Sequence, residues 1–486
     1  MDAATLIAFS TYLFLIIAVT FVAFVVTRNL SDFVLGGRRL GGPVAALSAG
    51  ASDMSAWLLL GLPGAVYVLG LNQIWLPIGL TIGAYLSWKI IAKPLRVFSE
   101  YANDALTLPS FLDNRFLDDS GSIRILLAVC TLLFFAFYTA SGLVGGAMLL
   151  QRFGFEYHQA LLLGTAIIML YTLIGGFLAV SWTDFFQGSF MFCCLLVVPI
   201  MAISDMGGWE ATKGLINAQG GQFFNPLSEF NALLFVNLMA WGLGYFGQPH
   251  ILVRFMAVRG VKDIPIARRI GIAWMSLSLV GATLTGFVGI AFFEMHDIKP
   301  ESIFIVFSQT LFTPWLAGIL FAAILSSIMC AIDSQMLASS SAITEDLYHR
   351  VFRKNASQKE LIWVGRIAVI LIAVVAVILA RDPENTVIDL VAFAWAGLGA
   401  SFGPCVIFSL FWRKMTKVGA LCGILLGALS VIIWKLNSGG IFEIYEILPG
   451  FVLGSLGVVL GSRWGAPAPE AVLAQYDGAW EKIKHS

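Results

Sequence analysis

Two carboxylates, Asp53 and Asp333, lie deep inside long apolar stretches of this 486-residue sequence. A charged side chain at the centre of a membrane span costs roughly 3 kcal/mol on insertion scales, so it usually marks an ion or substrate path and faces the protein interior. The simpler alternative for Asp53 is a kinked helix whose carboxylate is merely hydrogen-bonded. We therefore take both positions as candidates for a site that handles charge.

The stretch around Asp53 has the residues that interrupt a helix. It runs from Gly42 to Gly70, and Gly50, Gly61 and Pro63 bracket the carboxylate. Proline removes a backbone donor, and a broken membrane helix leaves carbonyl groups without their helical partners. Free carbonyl oxygens are good ligands for cations. The sequence therefore predicts a broken helix with an ion site at the break.

Asp333 lies in a second apolar stretch, among small polar residues. Ser327, Cys330 and Ser334 follow helical spacing on one face, and Asp333 lies next to that face. Small residues also allow close helix packing, which would explain the serines but not the carboxylate. From the rise of a helix, Asp333 and Asp53 lie within roughly 3 Å of the same membrane depth. We expect the two carboxylates to share one site.

A group of aromatic residues accompanies these carboxylates. Aromatic rings with a hydroxyl or indole donor suit a small solute that has an apolar ring and a charged end. Aromatics in membrane helices also serve as core or interface residues. The candidates for substrate binding are Trp57, Tyr138, Trp241 and Tyr245, with Gln248 placed to orient a carboxylate.

Two further charged residues are candidates for coupling or gating. Asp184 lies at the predicted cytoplasmic margin of the membrane, where it could gate the transport path or cap a helix. Arg38 lies in the basic connector LGGRRLGG, which most simply follows the positive-inside rule, with a gate pairing as the alternative.

The composition excludes a soluble protein. Hydrophobic residues make up 59% of the chain, charged residues 12%, and the mean hydropathy is +0.87. The net charge of zero gives no indication of a nucleic-acid partner. The six cysteines lie in apolar segments without metal-ligand spacing, so we interpret them as small buried hydrophobes. No HExxH, GxSxG or Walker motif is present, which argues against an enzyme.

Windows of about 20 apolar residues predict an all-α polytopic membrane protein with about thirteen transmembrane helices. The first window is preceded by Asp2 rather than by a basic region, so we expect it to be retained as a helix and not cleaved. The predicted spans are 5–26, 43–70, 73–92, 123–151, 159–179, 185–204, 231–250, 270–292, 314–343, 361–380, 386–412, 418–436 and 444–462.

Charge placement predicts the orientation. Of the 29 Lys and Arg residues, 22 fall in alternate connections on one side, and three lie near helix ends. Lys and Arg accumulate on the cytoplasmic side, which puts the N-terminus outside and the C-terminus in the cytoplasm. The four on the opposite side are Arg152, Lys213, Lys299 and Arg381.

The broken second window has a counterpart five windows later. Within 231–250, glycines and Pro249 again interrupt an apolar helix, and five is odd, so the two run in opposite directions. Such a pair indicates a transporter built from inverted repeats. We expect one membrane domain over 1–486, with repeats at 43–204 and 231–412. The peripheral helices are expected at 5–26, 418–436 and 444–462, before a cytoplasmic tail at 463–486.

Long segments of the chain resemble the sodium/solute symporter family, and within it the members that carry proline. The resemblance covers nearly the whole length. The segments that carry it are FVLGGRRLGG, LSAGASDMSAWLLLGLPGAV, GGFLAVSWTDFFQG, AWGLGYFGQPHILVRFMAV, SSAITEDLY, ASQKELIWVGR and AWAGLGASFGP.

The resemblance implies a LeuT-type core of five plus five inverted helices, with alternating access and co-transport of L-proline with Na⁺. It also implies roles for individual residues. Ala51 and Met54 would offer backbone carbonyls to the ion, and Asp53 and Ser55 would link the ion and substrate sites. The proline pocket would be formed by Trp57, Tyr138, Trp241 and Tyr245, while Asp184 and Arg38 match positions implicated in coupling.

The sequence departs from the family's pattern at the sodium site. Where relatives have adjacent Ser and Thr, this chain has Cys330 and Ala331, and Ala56 replaces a glycine. Na⁺ prefers oxygen ligands, which neither a neutral thiol nor a methyl group supplies. Asp333 either replaces them in a remodelled sodium site or accepts a proton instead. The ligands expected for Na⁺ are Ala51, Met54, Ser327 and Asp333.

We therefore expect a proline symporter of the inner membrane, driven by Na⁺ or alternatively by H⁺. A symporter for another small amino acid or carboxylate is the same-class alternative, and a receptor that binds without transporting is the different-class alternative. The expected partners are L-proline, Na⁺ or H⁺, and the lipid bilayer. No nucleic acid, resident cofactor or obligate protein partner is expected.

Overall fold

The chain folds almost entirely into helices. The computed structural model describes residues 2–26, 38–174, 177–228, 231–293 and 298–485, and across those ranges the β-structure is limited to one bridge between Leu40 and Val258. The all-α class is therefore confirmed. Residues 175 and 176 of the predicted window 159–179, and the start of the segment FVLGGRRLGG at residue 33, lie outside the described residues.

Twenty α-helices follow one another along the described chain. They are α1 (Ala3–Val26), α2 (Gly42–Asp53), α3 (Leu62–Leu69), α4 (Trp75–Leu86), α5 (Ala92–Tyr101), α6 (Leu108–Arg115), α7 (Ser122–Gln151), α8 (Tyr157–Ile174), α9 (Phe177–Asp205), α10 (Trp209–Ala218), α11 (Ala232–Ala240), α12 (Pro249–Ala257), α13 (Ile264–Phe292), α14 (Ile303–Thr310), α15 (Pro314–Ser341), α16 (Gln358–Leu379), α17 (Val387–Phe411), α18 (Lys417–Lys435), α19 (Ile447–Trp464) and α20 (Glu470–His485). Tighter and wider helical turns connect several of them. The 3₁₀ turns are Gly70–Ile74, Trp241–Phe246, Val261–Asp263, Pro300–Ser302 and Gly440–Glu443, and the π turns are Trp57–Gly61, Ser87–Ile91 and Ala342–Phe352.

The helices occupy the predicted apolar windows. Each of the thirteen windows coincides with a helix or a helical run, and α13 begins earlier than predicted, at Ile264. Within the described ranges, nine helical runs are long and apolar enough to cross a membrane, and one of these, Trp57–Tyr101, spans the end of one window and the whole of the next. Three shorter apolar helices accompany them. The count of thirteen crossings stays a prediction.

The first interruption lies where the sequence places it. Helix α2 ends at Asp53, and the next helical turn begins at Trp57. The amide of Ser55 donates to the carbonyl of Asp53 at 2.9 Å instead of to the carbonyl of Ala51, so the helical pattern stops there. Pro63 lies in the first turn of α3, where a missing backbone donor costs least.

The second interruption lies between α11 and α12. A 3₁₀ turn, Trp241–Phe246, follows α11, and α12 begins at Pro249. This turn lies against α4 and α17. Gly83 allows the close approach, because a Cβ atom built there would lie 2.1 Å from the carbonyl oxygen of Gly242.

The helix carrying Asp53 lies at the centre of the packing. Helix α2 contacts α9, α12, α13 and α15, which brings parts of both predicted repeats together around it. Helix α1 packs mainly along α15, while α18 and α19 pack against each other and against α17. The division into two repeats with three peripheral helices stays a prediction.

The tail expected at 463–486 forms a docked helix. Helix α20 packs its aromatic side chains on α5, with the rings of Tyr476 and Phe98 centred 5.6 Å apart. The Nζ of Lys482 lies 3.4 Å from the carboxylate of Glu100. The segment is therefore attached to the early part of the chain by both apolar and charged contacts.

The interpretation of the cysteines as buried residues is wrong for two of the six. All six thiols are free, but Cys193 on α9 is exposed and Cys422 is only partly buried. Both lie in apolar helices, where exposure to lipid is no penalty for a small apolar side chain.

Substituting Gly83 with alanine should destabilise the folded protein. The added methyl would overlap the backbone of Gly242, and overpacking of this kind costs about 1–3 kcal/mol. We expect a lower melting temperature of the purified protein in detergent. Gly146→Ala in α7 is the control, because a Cβ atom there meets nothing within 4 Å; equal melting temperatures would contradict the close contact.

Candidate functional site

Asp53 is buried at the end of α2 with one oxygen bound. Only 2% of the residue is exposed. The hydroxyl of Tyr245, from the second interruption, donates to its Oδ2 atom. Within the described residues Oδ1 has no hydrogen-bond partner, and neither has the hydroxyl of Ser55. The two interrupted helices therefore meet at a buried carboxylate that keeps acceptor capacity.

The backbone at the break is held by aromatic side chains. The carbonyl oxygen of Asp53 accepts from Trp57 Nε1 at 3.0 Å and from the hydroxyl of Tyr138 at 3.1 Å. Carbonyls at the end of a helix need such partners when they are buried. Two of the predicted pocket residues thus also support the backbone of the break.

The four predicted aromatic residues come together. The rings of Trp57 and Trp241 are centred 6.4 Å apart, and all four side chains are buried. The four aromatic side chains are therefore packed together inside the protein. Sequence reasoning missed two neighbours: Trp395 packs edge-on against Tyr245 at 5.1 Å, and Tyr445 stacks on Trp241 at 5.3 Å.

The missed Trp395 had a signal in the sequence, and Tyr445 had none. Trp395 belongs to the segment AWAGLGASFGP, and its Nε1 donates to the carbonyl of Trp241 at 2.8 Å. Gln248 uses its amide nitrogen on the carbonyl of Trp395 at 3.0 Å, while its Oε1 has no partner among the described residues. The role expected for Gln248 toward a carboxylate stays a prediction.

The backbone groups expected to bind a cation lie at the same break. The Ala51 carbonyl loses its helical donor, since the Ser55 amide turns to Asp53, while Met54 donates its own amide to Gly50 at 2.8 Å. Ala51 also contacts α9: a Cβ atom built on Gly188 would lie 2.9 Å from its methyl group. Carbonyl and carboxylate oxygens here match the ligands that hard cations prefer.

Asp184, which the sequence places at the cytoplasmic margin of the membrane, is fully buried within the protein. Its Oδ2 accepts from Ser48 at 2.8 Å and lies 3.3 Å from Arg254 NH2. Arg254 is one of the 22 Lys and Arg residues that the sequence assigns to connections, but it lies in α12 and is only 1% exposed. The same guanidinium donates to Ser334 at 2.6 Å. This buried network joins α2, α9, α12 and α15.

Asp333 has different partners from Asp53 in the described contacts. The hydroxyl of Thr172, on α8, donates to Asp333 Oδ1. Asp333 is fully buried, which agrees with a site inside the core. The expectation that the two carboxylates share one site stays a prediction.

The other candidates on α15 are engaged within the protein. The Ser327 hydroxyl donates to the carbonyl of Ile324 at 2.7 Å, and the Cys330 thiol donates to Gln187 Oε1 at 3.0 Å. Gln187 is a third residue that sequence reasoning missed, although it lies in the quoted segment GGFLAVSWTDFFQG.

Arg38 connects three parts of the chain on the side where most Lys and Arg residues are predicted. It lies 2.7 Å from Asp104, and it donates to Ser99, Met256 and Ala105. Burial lowers the pKa of its guanidinium, and Asp104 partly offsets this. These contacts fit the gate pairing considered for Arg38, which stays a prediction.

A small cavity lies between this basic side and the Arg254 network. It has a volume of about 40 Å³, and its lining includes Thr107, Pro249, Arg254, Ser334 and Asp346. Its polar lining groups therefore belong both to the Arg254 network and to the segments around Thr107 and Asp346.

Comparison with known proteins agrees with this architecture. The model of the sodium:solute symporter family matches residues 33–427. The sodium/proline symporter of Escherichia coli is 50% identical over 96% of this chain and 94% of its own length. The chain belongs to the sodium:solute symporter family. The high-affinity proline transporter PutP of Bacillus subtilis is 48% identical, over 93% of this chain and 96% of the relative.

Solved structures show the same fold. A Na⁺-coupled sialic acid symporter in a substrate-bound outward-open state matches with a TM-score of 0.82 at 17% identity, covering 96% of this chain and 99% of that one. Mhp1, a nucleobase-cation-symport-1 family transporter, matches with a TM-score of 0.56 at 13% identity, over 93% and 99%. This member of the family is a multi-pass membrane protein with a LeuT-type fold, and its relatives are transporters rather than enzymes.

Replacing Arg254 with methionine should lower stability strongly. Removing one partner of a buried ion pair leaves an uncompensated charge and costs about 3–5 kcal/mol. We expect a large fall in the melting temperature in detergent, which Asp184→Leu in the same chain should partly reverse. The control is Arg413→Met, which breaks the exposed pair with Asp477 and should change little. Equal falls in melting temperature for Arg254→Met and Arg413→Met would contradict the buried network.

Proposed function

We propose that this chain imports L-proline together with Na⁺ by alternating access. The observation that carries the proposal is the buried meeting of the two interrupted helices, where an aromatic pocket adjoins a carboxylate with acceptor capacity. The curated relatives named as sodium/proline symporters support both the solute and the ion.

The pocket suits the two chemical halves of proline. Its pyrrolidine ring is apolar and would pack between Trp57 and the aromatic rings of the second interruption. Its charged groups would meet the polar break, where the hydroxyl of Ser55 has no partner among the described residues, and the Oε1 atom of Gln248 in the second interruption. Trp57 and Tyr245 therefore determine the fit of the ring, while the break handles charge.

The cation would bind where α2 ends. The Ala51 and Met54 carbonyls and Oδ1 of Asp53 supply oxygen, and the same carboxylate contacts Tyr245 of the pocket. One residue therefore interacts with both cargo sites, and binding of Na⁺ would help to order the pocket for proline. Such a shared element is the physical basis of coupling.

A proton-driven symporter is the second candidate. It is favoured by one observation: Cys330 supplies no hard oxygen and directs its thiol to Gln187, while buried Asp333 lies close by with Thr172 as partner. In that case Asp333 would carry the proton. A symporter for another small amino acid or carboxylate would use the same pocket.

We infer that the protein lies in the inner membrane with its N-terminus outside and its C-terminus in the cytoplasm. The excess of Lys and Arg on one side supports this orientation. The Arg38 contacts would then close the cytoplasmic side, and the cavity beside Arg254 would be the start of the exit route.

Uptake of labelled proline into proteoliposomes tests the proposal. We expect accumulation with an inward Na⁺ gradient at equal pH, and none with an H⁺ gradient in sodium-free buffer. Asp53→Asn should abolish accumulation, because it removes the charge that both cargo sites use. If Asp53→Asn accumulated proline to the wild-type level, the proposal that both cargo sites share this carboxylate would be contradicted.

The same experiment with Asp333→Ser separates the two coupling ions. If Na⁺ drives transport with Asp333 as a ligand, the variant should need more Na⁺ but still accumulate proline. Accumulation that depends on H⁺ alone and is lost in the variant would favour the second candidate. If another unlabelled solute competed with labelled proline more strongly than proline itself does, that solute would be the assigned cargo. Binding of proline without accumulation would indicate a receptor.

Trp57→Ala and Tyr245→Ala should each weaken proline binding about thirtyfold or more, because deleting a buried aromatic anchor costs about 2 kcal/mol or more. Equilibrium binding of labelled proline to the purified protein measures this. Trp363→Ala is the control, since that side chain is exposed on α16. Unchanged affinity in both pocket variants would move the proline site elsewhere.

A further inference from the structure

Helix α1, which the sequence assigns to the periphery, reaches the polar interior through Tyr12. The Tyr12 hydroxyl lies 2.5 Å from Ser326 Oγ on α15 and 3.1 Å from Gln187 Nε2 on α9. Its ring stacks on that of Phe190, with centroids 5.8 Å apart. The side chain is therefore fixed both by packing and by two polar contacts.

The donors and acceptors of this group fit one consistent arrangement. Ser326 Oγ also lies 2.7 Å from the carbonyl of Ala322, which only accepts, so the Ser326 proton belongs to that bond. The Tyr12 proton then points to Ser326, and the Tyr12 oxygen accepts from the amide nitrogen of Gln187. The amide oxygen of Gln187 is left to accept the thiol proton of Cys330 at 3.0 Å.

Gln187 therefore has its orientation set by Tyr12. A buried side-chain amide can rotate by half a turn, which exchanges its donor and its acceptor. Tyr12 binds the nitrogen end, so the oxygen end faces Cys330. Gln187 is 2% exposed, which means that water cannot replace either partner at low cost.

The same part of α9 touches the proposed cation site. Gly188, next to Gln187, is in contact with Ala51 at the end of α2. Its carbonyl accepts from Trp274 Nε1 at 3.3 Å, which holds this face of α9 against α13. Gln187 thus contacts position 330, and its chain neighbour contacts Ala51, whose carbonyl is freed at the break.

We propose that Tyr12 is a positioning residue for the cation site, acting through Gln187. The inference rests on the proposed function, and it names a part of the chain outside the expected repeats that determines how tightly the cation binds. Tyr12 and Gln187 make none of the described contacts to Trp57, Tyr138 or Tyr245. Loss of the Tyr12 hydroxyl should therefore raise the Na⁺ concentration needed for uptake and leave the proline concentration needed almost unchanged.

Tyr12→Phe in the full chain tests this, because it removes the hydroxyl and keeps the ring. Losing one buried hydrogen bond corresponds to a change of about fivefold, so the Na⁺ concentration for half-maximal proline uptake should rise by about that factor. The proline concentration for half-maximal uptake at saturating Na⁺ should change less than twofold. Both are measured in proteoliposomes with labelled proline.

The control is Tyr157→Phe, which removes a hydroxyl that donates to Ala380 at 2.7 Å, away from this network. It should change neither concentration. Gln187→Leu should reproduce the effect on Na⁺, and adding Tyr12→Phe to it should have no further effect, because the two residues act in series. Additive effects would overturn the proposed route through Gln187.

The outcomes separate this inference from the function it rests on. Absence of Na⁺-driven uptake by the wild-type protein contradicts the proposed function. Normal wild-type uptake with an unchanged Na⁺ requirement in Tyr12→Phe contradicts only the role of Tyr12. An equal rise in the Na⁺ and proline requirements also contradicts it, since a general structural defect would act on both.

Discussion

The structure depends on one constraint: a helix that is interrupted inside a membrane must satisfy its freed backbone groups from the protein itself. At Asp53 the chain does this with side chains from the next turn of the same interrupted helix and from two other parts of the chain. Trp57 and Tyr138 bind the carbonyl, and Tyr245 binds the carboxylate. The side chains that stabilise the interrupted backbone are also those best placed to contact a solute. Stability and substrate recognition therefore involve the same side chains.

Much of the fold could be predicted from the sequence, because apolar length and Gly/Pro placement act locally. The interruptions before Trp57 and before Pro249, and the assembly of four aromatic residues, follow from such local signals. The pairing of Asp184 with Arg254 does not. It joins positions 70 residues apart, and a single arginine near a helix end looks like a loop cation until its neighbours are known. Tertiary contacts, which the sequence does not reveal, determine whether Arg254 is buried and paired.

Buried polar groups in this core are organised as networks that span several helices. One connects Asp184 to Arg254 and Ser334, and another runs from Cys330 through Gln187 to Tyr12. Each joins at least three helices through groups that leave few alternative partners. Because a buried polar group is costly when it is left unpaired, such networks permit a few discrete arrangements of the helices and disfavour intermediate ones. A transporter that alternates between two states needs this property.

Helix α20 has a consequence for biosynthesis. Its aromatic side chains cover Phe98 on α5, and Lys482 faces Glu100, yet these partners lie more than 370 positions apart in the sequence. While the ribosome is still translating the intervening helices, that face of α5 has no cover, and its apolar surface is available to chaperones or to other nascent chains. The final packing of this side is therefore a late event in folding, whatever the order in which the membrane helices insert.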